Sequence, residues 1–171
     1  METARIYIRP MTKEDTDMIV GFRNKPFVRE RFIFRDEVTR EMHLKRFKEK
    51  IETGEIVQFV IVLKDGDVPF GSVYFGNVDR EKACAEYGIF IGREDFLGRG
   101  YGTEAAELAL KYAFSEMKLK KVYLRLLADN ERARKSYEKV GFKISEKRDE
   151  YPGGSDCAEN VIFMEIENCA D

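Results

Sequence analysis

The residue types best suited to chemistry fall in two short stretches. The first, from Glu86 to Thr103, reads EYGIFIGREDFLGRGYGT. An apolar strand over 87–92 leads into a loop with glycines at 98, 100 and 102, and the loop opens directly into the helix-forming run TEAAELALKYAFSEM. Closely spaced glycines let the backbone turn sharply and let a ligand come close to its N–H groups. The first turn of the helix adds orphan donors and the positive end of the helix dipole. Together these make an anion site suited to a phosphate or pyrophosphate. The loop is neither of the two common nucleotide signatures. No Gly-Lys-Ser/Thr follows it, and Gly98, Gly100, Gly102 with Thr103 is G-x-G-x-G rather than G-x-G-x-x-G. Taken alone, the stretch reads equally well as a glycine-rich strand-to-helix turn with no ligand.

The second stretch is VYLRLLADNERARKSYEKVGF, residues 122–142. A strand ends at Asn130, a short helix carries Ala133 and Tyr137, and Gly141-Phe142 closes it. The loop Leu97-Gly98-Arg99-Gly100-Tyr101-Gly102 followed by this strand–Asn–helix–Tyr–Gly-Phe series resembles the GNAT acetyltransferase superfamily, over Ile6 to Ile166. Within it, the likeness is to the branch of ribosomal-protein N-terminal, spermidine and nucleotide-amino-sugar acetyltransferases. One position departs from the family loop: Leu97 stands where Gln or Arg is usual.

The resemblance implies acetyl-CoA as co-substrate, with no metal, and an N-acetyltransferase that moves the acetyl group directly to an amine in a ternary complex. It implies that the backbone of Ile89, Phe90 and Ile91 pairs with the pantetheine arm. Leu97, Gly98, Arg99, Gly100, Tyr101, Gly102 and Thr103 would hold the pyrophosphate, with Asn130 and Ala133 beside them. Tyr137 stands at the family position of the general acid. An acetyl thioester is already activated, so the protein must orient a neutral amine, stabilise the developing oxyanion and protonate the departing thiolate. A thiol (pKa about 8.5) and a phenol (about 10) are close enough for that last proton transfer in an apolar pocket. The alternative for Tyr137 is a helix tyrosine packed on the sheet. Glu86 is the candidate base, directly or through water, because it lies on the strand beside the cofactor. Its alternative is a surface carboxylate or ion-pair partner.

The acceptor is read from residues 21–50, where ten Lys/Arg stand against five Asp/Glu, with Phe27, Phe32 and Phe34 interleaved. A polyamine pocket would want carboxylates, whereas a diphosphate suits arginine clusters and aromatics can stack a base. The segment GFRNKPFVRERF also resembles the opening of nucleotide-amino-sugar acetyltransferases. Arg23, Arg29, Phe32 and Tyr74 are the candidate substrate contacts for a small-molecule amine, first of all a nucleotide-linked amino sugar. A protein N-terminus and spermidine follow as alternatives, and a non-catalytic CoA-binding regulatory module is the alternative of another class. The plain reading of most of these bases is a solvated helical face, and His43 is read as structural.

Composition sets the wider bounds. The 171 residues, 43% hydrophobic and 36% charged, fit one soluble globular domain over 1–171. A net charge of −2 gives no reason to expect nucleic acid. No apolar run is long enough to span a bilayer, and METARIYIRP reads as a strand rather than a leader. Three cysteines without ligand spacing and one His point away from a zinc site or disulfide framework, and toward a cytoplasmic protein. The resemblance allows a homodimer.

Periodicity then gives the elements that position these residues. Strands are expected over 5–9, 57–64, 68–76, 83–92, 122–127, 142–145 and 161–166. Helices are expected over 12–23, with Thr12 as N-cap, over 39–52 with Met42, Phe47 and Ile51 inward, over 102–117, and over 131–140 between Asn130 and Gly141. Asp65-Gly66 signals a hairpin, and Tyr151 to Gly154 reads as an exposed loop. On the 83–92 strand, Glu86 shares a face with Cys84, Gly88 and Phe90, opposite Tyr87, Ile89 and Ile91. The order matches a mixed, mostly antiparallel α+β sheet of the GNAT type. Its central strands, by resemblance, splay apart to admit the pantetheine arm.

Overall fold

The computed structural model describes residues 1–168. Cys169 lies outside them. Seven strands make one sheet: β1 (Ile6–Pro10), β2 (Val57–Leu63), β3 (Val68–Asp79), β4 (Cys84–Ile91), β5 (Lys121–Leu127), β6 (Lys143–Ser145) and β7 (Val161–Glu167). Their order across the sheet is β1-β2-β3-β4-β5-β7-β6. Every neighbouring pair is antiparallel except β4 and β5, which are parallel. This is the mixed α+β architecture expected from the sequence.

Alternation along β2 explains the layers. Phe59 and Ile61 point to one face and Val60 and Val62 to the other, and all four are buried. A strand covered on both sides reads as an apolar run, as FVIVL does after Gln58. The first face is covered by α4 (Tyr101–Ser115) and α5 (Glu131–Val140). Ala105, Ala106, Ala109 and Ala113 of α4 are almost completely buried, so small side chains let this helix lie close on the strands. The second face is covered by α1 (Thr16–Arg23), the single turn α2 (Pro26–Arg29) and α3 (Arg40–Arg46). Ile19, Val28 and Phe47 from this side meet Val60, Val62 and Phe90 of the sheet. Burying each such side chain contributes roughly 1.5–3 kcal/mol.

The feature that positions the site is a break between β4 and β5. They pair only at Cys84–Lys121, Ala85–Val122 and Glu86–Tyr123. Beyond Glu86, β4 stays with β3 as far as Ile91, and β5 stays with β7 as far as Leu127. The strands therefore diverge, and the main chain of 87–91 has a free edge toward the gap.

Three local expectations need correction. The helix expected over 12–23 is a 3-10 turn, Lys13–Asp15, followed by α1. The Asp15 carboxylate accepts from Thr12 N–H at 2.8 Å and from Arg9, which fixes this entry. Met42, expected inward, is 53% exposed. Thr39 caps α3 by accepting from Met42 N–H at 3.1 Å, and His43 takes the inward place, four residues before Phe47, which is buried as expected. Tyr151, expected in an exposed loop, is buried between Tyr123 (centroids 4.1 Å) and Phe163 (5.6 Å).

His43 is 4% exposed, and neither ring nitrogen has a partner among the described residues. Burial, aided by Arg46, lowers its pKa from 6.5 to about 4. The fold accepts only the neutral ring, so its contribution is complete above pH 6.5 and is lost as pH falls toward 4, by roughly 3 kcal/mol. Melting curves between pH 7 and 4 should show His43→Leu losing less stability on acidification than the native chain. Parallel curves would show that His43 does not set the acid limb.

Candidate active site

Gly98 (φ +78°) and Gly100 (φ +84°) take the left-handed conformation that other residues adopt only with strain. Gly100 is the N-cap of α4, and the first helical N–H to donate is that of Glu104, to Gly100 O at 3.1 Å. Among the described residues no main-chain N–H from Gly98 to Thr103 has a protein acceptor. Gly102 differs from the other two: its φ is ordinary, and a Cβ there would meet nothing within 4 Å. The loop is therefore an open cradle of unpaired amides at a helix N-terminus, suited to a polyanion.

The cradle is braced from behind. Arg5 donates to Arg99 O at 3.1 Å, lies 4.4 Å over the Tyr101 ring and pairs with Glu104, which also accepts from Thr3 Oγ1 at 2.8 Å. The Tyr101 ring packs against Phe70 (5.3 Å) and Phe96 (5.6 Å), so its side chain is an anchor and only its main chain faces outward. The Arg99 side chain is exposed, and Leu97 follows a 3-10 turn with its N–H on Glu94 O. An Arg132 Nη lies 3.5 Å from the position of a Gly98 Cβ, which adds a second cation that sequence reading did not single out.

On α5 the Asn130 side chain accepts from Ala133 N–H at 3.3 Å, and Gly141 (φ +108°) closes the helix. Thr103 and Ser136 hydroxyls join α4 to α5 at 3.0 Å. These contacts fix Tyr137, which is half-buried and edge-on to Tyr87 (6.1 Å) and Phe142 (5.8 Å). Burial pushes its phenol well up, and Tyr74 adds to this. Tyr87, on the same face, has a buried hydroxyl with no partner among the described residues. Tyr74 comes from the other face of the sheet. Its ring lies over Gly88, where any Cβ would collide with it. The two phenols thus feel each other across the sheet at the diverging strands, and Gly88 makes that approach sterically possible.

Glu86 sits where pairing with β5 stops. Its carboxylate accepts from Arg125 Nε (2.7 Å) and Nη2 (2.9 Å) and from Asn77 Nδ2 (2.7 Å). Glu86 is thus an ion-pair partner of Arg125 in this geometry. Arg125 also donates through Nη1 to Cys157 Sγ at 3.6 Å. Arg125 had a legible signal: it is the single charge inside the buried strand run VYLRLL.

On the acceptor side, Arg23 stacks 3.6 Å over Phe32, which meets Phe90 at 5.9 Å. Arg46, absent from the sequence candidates, lies over the Tyr74 ring at 5.6 Å. Arg23, Phe32 and Tyr74 are thus gathered on the side of the sheet that carries Phe90, with Ile89 and Ile91 on the opposite face. Arg29 donates through Nε to Arg35 O at 3.0 Å, and its charge lies close enough to act on Arg23.

A model of the acetyltransferase (GNAT) domain matches residues 5–143. The chain belongs to this family. The GNAT chain is 29% identical over 139 residues to spermidine N(1)-acetyltransferase of Escherichia coli K12, an alignment that covers 81% of this chain and 73% of that one. It is 24% identical over 154 residues to the uncharacterized N-acetyltransferase p20 of Bacillus licheniformis, with coverage of 82% and 80%. In three dimensions it superposes with a TM-score of 0.82 on spermidine N-acetyltransferase from Vibrio cholerae, solved with CoA and spermine, at 20% identity and 96% coverage of both chains. At that identity the superposition speaks for the fold. This GNAT chain is an acetyl-CoA-dependent N-acetyltransferase. Among its described residues no helix is long and apolar enough to cross a membrane.

Proposed function

We propose that this domain transfers the acetyl group of acetyl-CoA directly to the primary amine of a small anionic molecule. The amides of Gly98 to Thr103 would receive the pyrophosphate, with Arg99 and Arg132 at the rim. The free edge of β4 over Ile89, Phe90 and Ile91 would pair with the pantetheine amides. The observation that carries this reading is the gap itself: unpaired amides at the α4 N-terminus, a free β4 edge, and Tyr137 held beside them. The thioester supplies the activated acyl group, and the protein supplies orientation and the proton for the leaving thiolate. Tyr137 is the acid. Desolvation keeps its phenol protonated, and the same apolar setting raises a thiol as well, so the two remain matched. Glu86, paired with Arg125, holds the strand junction in register and reaches the amine only through water.

A nucleotide-linked amino sugar fits the acceptor side best, because guanidinium groups and aromatic rings line it and its carboxylate is already paired. A protein N-terminus comes second and spermidine third, although spermidine is named for the E. coli relative. Thiol release from acetyl-CoA should be measured with a nucleotide-linked amino sugar, an N-terminal peptide and spermidine, across pH and with Glu86→Gln alongside. The reading expects release with the anionic amine and an acid limb retained in Glu86→Gln. Tight CoA uptake without release for any amine would make the domain a binding module. Loss of the acid limb would return Glu86 to the role of base.

A further inference from the structure

We propose that Arg23 and Arg46 form an oxyanion subsite beside Tyr74, so that the acceptor amine carries a carboxylate or phosphate close to the reacting nitrogen. That the bound oxyanion belongs to the acceptor rests on the acetyltransferase reading; the subsite itself does not.

Charge balance on this side of the sheet motivates it. Three guanidinium groups, those of Arg23, Arg46 and Arg125, act on the Tyr74 hydroxyl together with one carboxylate, Glu86. That carboxylate is already forked with Arg125. Arg23 and Arg46 have no carboxylate partner among the described residues. Arg23 donates through Nη2 to Phe34 O at 2.6 Å, while its Nη1 is buried and has no partner among the described residues. Removing a guanidinium from water without an anion is unfavourable, and leaving one of its N–H groups unmade adds to the penalty.

Arg46 is aimed by a buried relay. Its Nη1 donates to Gln58 Oε1 at 3.1 Å, Gln58 Nε2 donates to Ser72 Oγ at 2.9 Å, and Ser72 donates to Phe59 O at 2.8 Å. Gln58 and Ser72 are 4% and 0% exposed, so the amide cannot turn and Arg46 is held in place. Two fixed, planar forks without counter-charge match an oxyanion, which accepts from both in charge-assisted bonds. The same forks repel the ammonium groups of a polyamine, so the site discriminates by charge as well as by shape.

Calorimetric titration of the full chain with inorganic phosphate, with acetate and with spermidine at low ionic strength tests this. Saturable uptake of phosphate or acetate is expected, and which of the two binds identifies the group. Arg23→Gln and Arg46→Gln should each weaken that uptake at least about ten-fold, and Arg23→Lys should restore part of it. Arg40→Gln, at an exposed arginine paired with Asp17, should leave it unchanged. No uptake of either anion overturns the proposal, as does equal weakening in Arg40→Gln, or spermidine binding that needs Arg23 and Arg46. Melting curves identify any variant that fails to fold, in which case the other carries the test. Acetyl-CoA is titrated into the same samples: failure of the native chain to take it up would refute the acetyltransferase reading and leave the anion result standing.

Discussion

Replacing Tyr137 with Phe should lower kcat for acetyl transfer by about 10²–10³-fold, with acetyl-CoA affinity nearly unchanged. The substitution removes one oxygen and keeps the ring, so the edge-on contacts to Tyr87 and Phe142 survive and α5 stays anchored through Asn130 and Gly141. What is lost is the proton donor. A thiolate expelled into a desolvated gap without a donor is a poor leaving group, and the loss falls on kcat because the hydroxyl acts in the transition state and not in holding the cofactor. Unchanged kcat would remove Tyr137 from the mechanism and leave it a packing residue. A change confined to the KM for acetyl-CoA would make its hydroxyl a cofactor contact.

The second large effect is expected at Gly102. Its φ is ordinary and a Cβ meets nothing within 4 Å, so the protein alone gives no reason for glycine there. Alanine at this helical position should even stabilise the chain by about 0.5–1 kcal/mol. If the cradle holds a pyrophosphate, the added atoms occupy the space the ligand needs. Gly102→Ala should then raise the KM for acetyl-CoA about ten-fold and Gly102→Val about a hundred-fold, which corresponds to roughly 1.4 and 2.7 kcal/mol. Melting temperatures at or above the native value would show that the protein itself is intact. Gly98 and Gly100 do not allow this separation, because their left-handed backbones are strained by any side chain. An unchanged KM in both Gly102 variants would mean that no ligand lies over the α4 N-terminus.

Much of this was legible before the fold was in hand, for identifiable reasons. The strands of the sheet and the helices α4 and α5 follow simple rules: a doubly covered strand is largely apolar, a capped helix begins at Asn130, and a left-handed glycine ends it. The glycine loop and Tyr137 stand out in the sequence through the family resemblance, whose motifs are local in spacing. The remainder depends on tertiary contacts. Arg46 shares the face of α3 that carries His43, three residues before it, and that this face rather than the one with Met42 docks on the sheet is decided by tertiary packing. Gly88 looks like any strand glycine until the ring of Tyr74 is seen lying over it from β3. Glu86 faced the expected side, but its partners, Arg125 and Asn77, are 39 and nine residues away, and no periodicity foretells that ion pair.

The account depends most on the unpaired amides before Glu104 and along β4 being where acetyl-CoA binds. Amide-resolved NMR of the labelled chain during titration with acetyl-CoA observes those groups individually. The account predicts that the N–H signals of Gly98 to Thr103 and of Tyr87 to Ile91 shift most and saturate together, with Arg40 to Arg46 little affected in the absence of an amine. Saturating shifts that leave the 98–103 amides in place and appear elsewhere in the chain would contradict it.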